Sequence, residues 1–212
     1  MKVHIPHINL ILTAGFLLTF AAQSASSKIY WGGKAGISRS SIVQKMDLDY
    51  RSGWSVGWNV AAMADIPVSE RFSLRPELAM ISQGGSFLGG DGVTYIWEHK
   101  VEAYAFQPAF HVAYSFPILD VKMTVYAGPA LTFQLYSKLY SNALVQDDVT
   151  QSEQPVRPFD LAGSGGISVE YGGVFFSITT VSGLLDRRRF SIEGEGPVLQ
   201  NNLIFSLGYF FR

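Results

Sequence analysis

Residues 53–64 read Gly-Trp-Ser-Val-Gly-Trp-Asn-Val-Ala-Ala-Met-Ala, and the bulky apolar residues fall on every second position. Trp54, Val56, Trp58, Val60, Ala62 and Ala64 share one face of an extended chain, and Gly53, Ser55, Gly57 and Asn59 share the other. A period of two identifies a β-strand, because successive side chains leave the backbone on opposite sides. No stretch after residue 28 shows the 3.6-residue period of a helix.

The same alternation recurs on both sides of this segment. Before it, Ile29, Trp31, Ala35 and Ile37 oppose Tyr30, Gly32, Lys34, Gly36 and Ser38. After it come strands over about Phe72 to Gln83, Ala103 to Tyr114, Val121 to Leu135, Phe159 to Tyr171, Val174 to Ser182 and Asn202 to Phe211, giving eight segments in all. Their connections alternate in length. Those around Ile66 to Arg71, Phe116 to Asp120 and Gly172 to Gly173 are short, and those around Ser40 to Arg51, Gly84 to Lys100, Ser137 to Pro158 and Leu184 to Pro197 are long. Short turns at one end and long loops at the other are the pattern of a transmembrane barrel.

Alternation by itself fits either a membrane barrel or a soluble one of lipocalin type, and the composition of the second face separates them. A soluble exterior would be rich in Lys and Glu, whereas here that face is mostly Gly, Ala, Ser and Thr with single charges. The aromatics near strand ends, Trp31, Trp54, Phe72, Tyr104, Tyr114, Tyr171, Tyr209 and Phe211, stand on the apolar face, as interfacial girdles require. The expected fold is therefore all-β: an eight-stranded, antiparallel, up-and-down transmembrane β-barrel, its N-terminus periplasmic and its long loops outside the cell.

Charged residues make up 16% of the chain, aromatics reach 14%, and there are 21 glycines and no cysteine. So low a charge content suits a lipid-facing wall, and the lack of cysteine excludes a disulfide framework and a thiolate metal site. Met1-Lys2 followed by the uncharged apolar run Ile8 to Ala22 and the small residues Ser24, Ala25 and Ser26 reads as a cleavable signal peptide over 1–25, with the barrel domain over 26–212. The near-neutral remainder has no basic nucleic-acid footprint.

Some charges fall on the inward face. Lys34, Arg75, Glu77, Lys122, Asp160 and Glu170 are expected in the lumen, together with Gln107, His111 and Tyr126. An uncompensated charge there would cost several kcal/mol, so these groups should pair across strands as a structural polar network.

The third strand reads Arg71-Phe-Ser-Leu-Arg-Pro-Glu-Leu-Ala-Met-Ile-Ser-Gln-Gly-Gly85, and its Pro76-Glu77-Leu78 core with Ser82-Gln83-Gly84 resembles the PorT-like family of outer-membrane β-barrel proteins. Tyr104 to Pro108, Tyr126-Ala-Gly128-Pro129, Gly183-Leu184 and the terminal Leu207-Gly208-Tyr209-Phe210-Phe211 are similar to the same family in the same order. The chain departs from the family's usual residues at Phe106 with Gln107, at Thr179, and in ending on Arg212 rather than an aromatic. The resemblance implies a part in a protein secretion apparatus.

Catalytic chemistry finds little to use. After cleavage only His99 and His111 remain, the first in a loop beside Glu98 and Glu102 and the second in the lumen. Gly32-Gly33-Lys34 and the glycines from Gly84 to Gly90 lack the spacing and following helix of a phosphate loop. Asp91, Asp147 and Asp148 do not form an ordered calcium series. No enzyme, metal or cofactor is expected. The dense run Asp186-Arg187-Arg188-Arg189 is expected at the outer rim, where arginine forks match lipopolysaccharide phosphates. Expected partners are outer-membrane lipid and lipopolysaccharide, the barrel-assembly machinery during biogenesis, and an envelope or secretion protein met through the loops of a barrel too narrow to be an open porin. A structural or interaction role through the extracellular loops is the leading expectation, a PorT-like component of a secretion apparatus is the alternative, and a small-solute channel or an outer-membrane enzyme stands behind both.

Overall fold

The computed structural model describes residues 28–44, 51–90, 95–143, 146–153, 157–187 and 197–211. The expected signal peptide and the residues Asp91, Arg188, Arg189 and Arg212 lie outside them. The described chain forms strands β1 (Tyr30–Gln44), β2 (Arg51–Pro67), β3 (Phe72–Gly90), β4 (Tyr95–Ile118), β5 (Val121–Ala143), β6 (Gln146–Glu153), β7 (Phe159–Tyr171), β8 (Val174–Gly183) and β9 (Val198–Phe211).

Eight of these close on themselves in the order β4-β3-β2-β1-β9-β8-β7-β5, and β5 returns to β4. All pairings are antiparallel. Closure supplies partners to every strand edge of the wall, which a backbone in hydrocarbon requires. The first and last strands meet, with Trp31 opposite Phe211 and Lys34 opposite Gly208. Alternation sorts the side chains as the sequence pattern demands: Trp31 (64% exposed) and Phe211 (67%) face lipid, whereas Lys34 (5%) and Phe210 (1%) face the lumen.

The short turns match the expected ones. Gly172 and Gly173 link β7 to β8 with φ of 58° and 87°, a pair of positive angles that glycine adopts without steric cost. Leu119, at φ 55°, occupies the two-residue turn between β4 and β5.

Two expected long loops are strand instead. β3 and β4 continue pairing up to Gly90 opposite Tyr95, and β5 runs on to Ala143, where β6 folds back along it from Gln146 to Glu153. Once the barrel has set the register, each added rung satisfies more backbone groups without a new closure cost, and Phe87, Trp97 and Tyr140 favour an extended chain. A membrane crossing takes roughly 9–11 residues. The 24 residues of β4 and 23 of β5 therefore reach far beyond the bilayer, whereas the 10 of β8 only cross it.

Candidate functional site: the filled lumen and its mouth

The lumen is built in layers. At the periplasmic end Met63, Phe175 and Phe210 pack together, the two rings 4.8 Å apart. Gly32 makes room for this plug, since a Cβ there would stand 2.7 Å from the Phe210 ring.

An ion network packs around the plug. Arg75 Nε donates to Asp65 Oδ1 at 3.0 Å, and Lys122 Nζ lies 3.6 Å from Asp65 Oδ2 and 3.0 Å from Glu170 Oε2. Lys34 Nζ meets Glu77 Oε2 at 2.8 Å. Three cations thus face three carboxylates, and only Lys122, near the periplasmic opening, keeps appreciable exposure. The Arg75 guanidinium also reaches Ser168 Oγ at 3.4 Å and lies 5.4 Å from the centre of the Phe210 ring. Buried charges of this kind are tolerated only when geometry and extra hydrogen bonds compensate for lost hydration.

His111 Nε2 and Ser164 Oγ are 2.9 Å apart, and Tyr126 Oη bonds Thr179 Oγ1 at 2.6 Å. Lys34, Arg75, Glu77, His111 and Tyr126 all border one void of about 10 Å³. That is room for about one water molecule, and the Ser164–His111 contact is a hydrogen bond between two buried lumen side chains. Among the described residues no three His, Asp or Glu side chains converge on a metal-sized site.

A ring of small and apolar side chains follows: Ile81, Ala105, Ala130, Ala162, Val181 and Ile204. Beyond it the filling is polar again but mostly uncharged. Asn202 donates to Gln83 Oε1 at 3.1 Å and Gln83 to Gln134 Oε1 at 3.3 Å, while Gln107, between Ala105 and Ala109 at the level of the ring, donates to Thr132 Oγ1 at 3.0 Å. Ile42, Val101 and Val198 cluster further out.

Arg187 corrects an expectation. It does not face the outer leaflet, because its side chain is 2% exposed and turned into the mouth of the barrel, where it donates to Gln134 Oε1 and lies 3.9 Å from Asp160 Oδ2. The backbone holds it there: Arg187 N donates to Val198 O and Arg157 N to Arg187 O, both at 2.9 Å. Burial pushes the guanidinium below its ordinary pKa, and the Asp160 carboxylate opposes that shift. Asp160 also accepts from Leu185 N at 3.1 Å, so it ties the end of β8 to β7.

The structure brings Lys34, Arg75, Glu77, Lys122 and Glu170 into ion pairs, and places Asp160 in a separate group at the mouth. Gln107 and Tyr126 bond neutral partners instead of joining the charges. Sequence reasoning missed Asp65, although it shares the lumen parity of Gly53, Ser55, Gly57 and Asn59. That parity was the available signal.

The outer membrane protein beta-barrel domain model matches residues 21–187. The chain belongs to that family. Its members' common setting makes this an integral outer-membrane protein, and the β9 strand that seals the barrel lies past the matched residues. Among solved structures the chain is similar to Ail, the attachment invasion locus protein of Yersinia pestis, at 10% identity over 87% of this chain and 100% of that one, with a TM-score of 0.48. It is similar to Neisserial surface protein A at 10% identity over the same shares, TM-score 0.46. OprG from Pseudomonas aeruginosa matches at 10% identity over 89% of this chain and 99% of that one, TM-score 0.45. No curated protein matches the chain in sequence.

Proposed function

We propose that this barrel is a non-enzymatic interaction protein, closed to solutes, that meets an envelope or secreted partner through the sheet standing above the membrane. One observation carries the reading: β3, β4, β5 and β6 form a continuous extracellular panel, with β6 paired on one side by β5 and bearing no further strand among the described residues. A free strand edge is a template for pairing with an extended segment of another chain.

The test is crosslinking in the native envelope with the full-length protein and with a version in which residues 139–153 are replaced by a short turn. The shortened barrel should still migrate differently boiled and unboiled, showing that the wall folds, and should lose a discrete protein adduct. An adduct unchanged by the shortening overturns the assignment.

A secretion component is the second reading, favoured by the PorT-like motif. The motif residues nonetheless work in the lumen: Glu77 pairs with Lys34, and Gln83 bonds Gln134 and Asn202. They support a shared way of filling a barrel more directly than a shared activity. Loss of one or more secreted proteins on deleting this gene, with the other envelope proteins unchanged, would favour the secretion role.

A further inference from the structure

The lipid-facing positions of β1, β2, β3, β7, β8 and β9 carry one charged side chain among the described residues, Arg39. Eight residues separate it from Trp31 of the periplasmic girdle, so it stands roughly 20 Å higher on the tilted wall, near the far edge of an apolar band about 25 Å tall. Its guanidinium carbon lies 4.9 Å from the centre of the Trp54 ring, and no carboxylate pairs with it among the described residues. Below this level the outward residues are apolar, Ile37, Phe205 and Ile178. At and above it small polar residues enter on the same strands, Ser41, Thr180 and Asn201, among the apolar Val43, Leu199 and Leu203. Together with Leu203, which faces Arg39 across β1 and β9, the three polar residues line an open groove of about 300 Å³ on the outside of the barrel.

A cation at the edge of the apolar band reaches the headgroup level, where an anion at its depth gives it a partner. At the outer boundary of such a membrane the available anions are headgroup phosphates, which a guanidinium fork can grip with two parallel hydrogen bonds while its far face rests on an indole. We propose that Arg39, stacked on Trp54 and flanked by Ser41, Thr180 and Asn201, binds the phosphate of a phosphorylated outer-leaflet lipid. The site is separate from the β3–β6 panel, so its success or failure leaves the interaction reading untouched.

The test uses the full protein in phosphatidylcholine nanodiscs carrying a small fraction of bisphosphorylated lipid A, or of the same lipid dephosphorylated, with retained lipid counted by native mass spectrometry after extraction into mild detergent. The parent protein should retain the phosphorylated form about tenfold better, the scale of one charge-assisted contact. Arg39→Gln should reduce retention to that of the dephosphorylated lipid. So should Asn201→Asp, which keeps the arginine and offers it an internal carboxylate. Equal retention by parent and both variants, each showing the heat-dependent gel shift of a folded barrel, overturns the site. Displacement of lipid A by millimolar inorganic phosphate overturns the lipid assignment, because the groove would then hold free phosphate.

Discussion

Below the apolar ring of Ile81, Ala105, Ala130, Ala162, Val181 and Ile204, three cations meet three carboxylates at bonding distance. Above it, amides fill the bore, and one cation and one carboxylate, Arg187 and Asp160, stand 3.9 Å apart. Both regions fill a narrow barrel, yet they use different side chains to do it. The lower network is anchored entirely on strands of the wall, so its geometry is as rigid as the barrel. The upper one depends on Arg187, which enters from a connection beyond β8. The close ion pairs are those whose partners all stand on wall strands, and the one pair stretched to 3.9 Å is the one whose cation enters from a connection.

Breaking the lower network should do the most damage. Asp65→Ala leaves Arg75 and Lys122 with one carboxylate fewer, and removing one partner of a buried pair costs about 3–5 kcal/mol. Unfolding of the purified barrel by urea in detergent should register that loss. A change under about 1 kcal/mol, the scale of a solvent-exposed pair, would mean that water already solvates the network.

The Lys34–Glu77 pair sharpens the point. Glu77→Leu alone should destabilise by about 3 kcal/mol, whereas the double variant Lys34→Met with Glu77→Leu should recover most of it, since an apolar pair of similar volume replaces a buried ion pair at little cost. Additive losses in the same urea titration would contradict the pairing at 2.8 Å.

Arg187→Gln should be milder, about 1 kcal/mol, because its contacts are one amide oxygen and a distant carboxylate. Lipid A retention in that variant should equal the parent's, in contrast to Arg39→Gln. The smallest expected effect is on conductance. Neither the parent nor Arg187→Gln should give stable nanosiemens steps in planar bilayers, as the lower layers still fill the bore. Reproducible steps from Arg187→Gln alone would show that the mouth is the sole barrier.

The wall was legible in the sequence because period two is a local property: Trp54 to Val60 declare their faces without any knowledge of neighbours. The lumen parity of Arg75, Glu77 and Lys122 follows from the same rule. Which charge meets which is not local, since it depends on register across strands, and bulges between Gly53 and Asn59 and between Tyr104 and Ala105 shift that register. Asp65 escaped notice because Met63 places apolar bulk on the lumen side just before it, where the pattern looks finished. Arg187 misled for a different reason. A run of four charged residues reads as solvated surface, and only the backbone bonds to Val198 and Arg157 reveal that the first arginine is folded inward.

The seam between β1 and β9 has a consequence for how the molecule is made. Trp31 and Phe211 are partners from the first and last strands, so closure joins the two strands farthest apart in sequence. Until that contact is made, two long unpaired edges with apolar faces exist at once, and the search for closure is the most non-local step the chain can take. Closure therefore requires β9, and a chain cut short before Val198 would lack the strand that bridges β1 and β8.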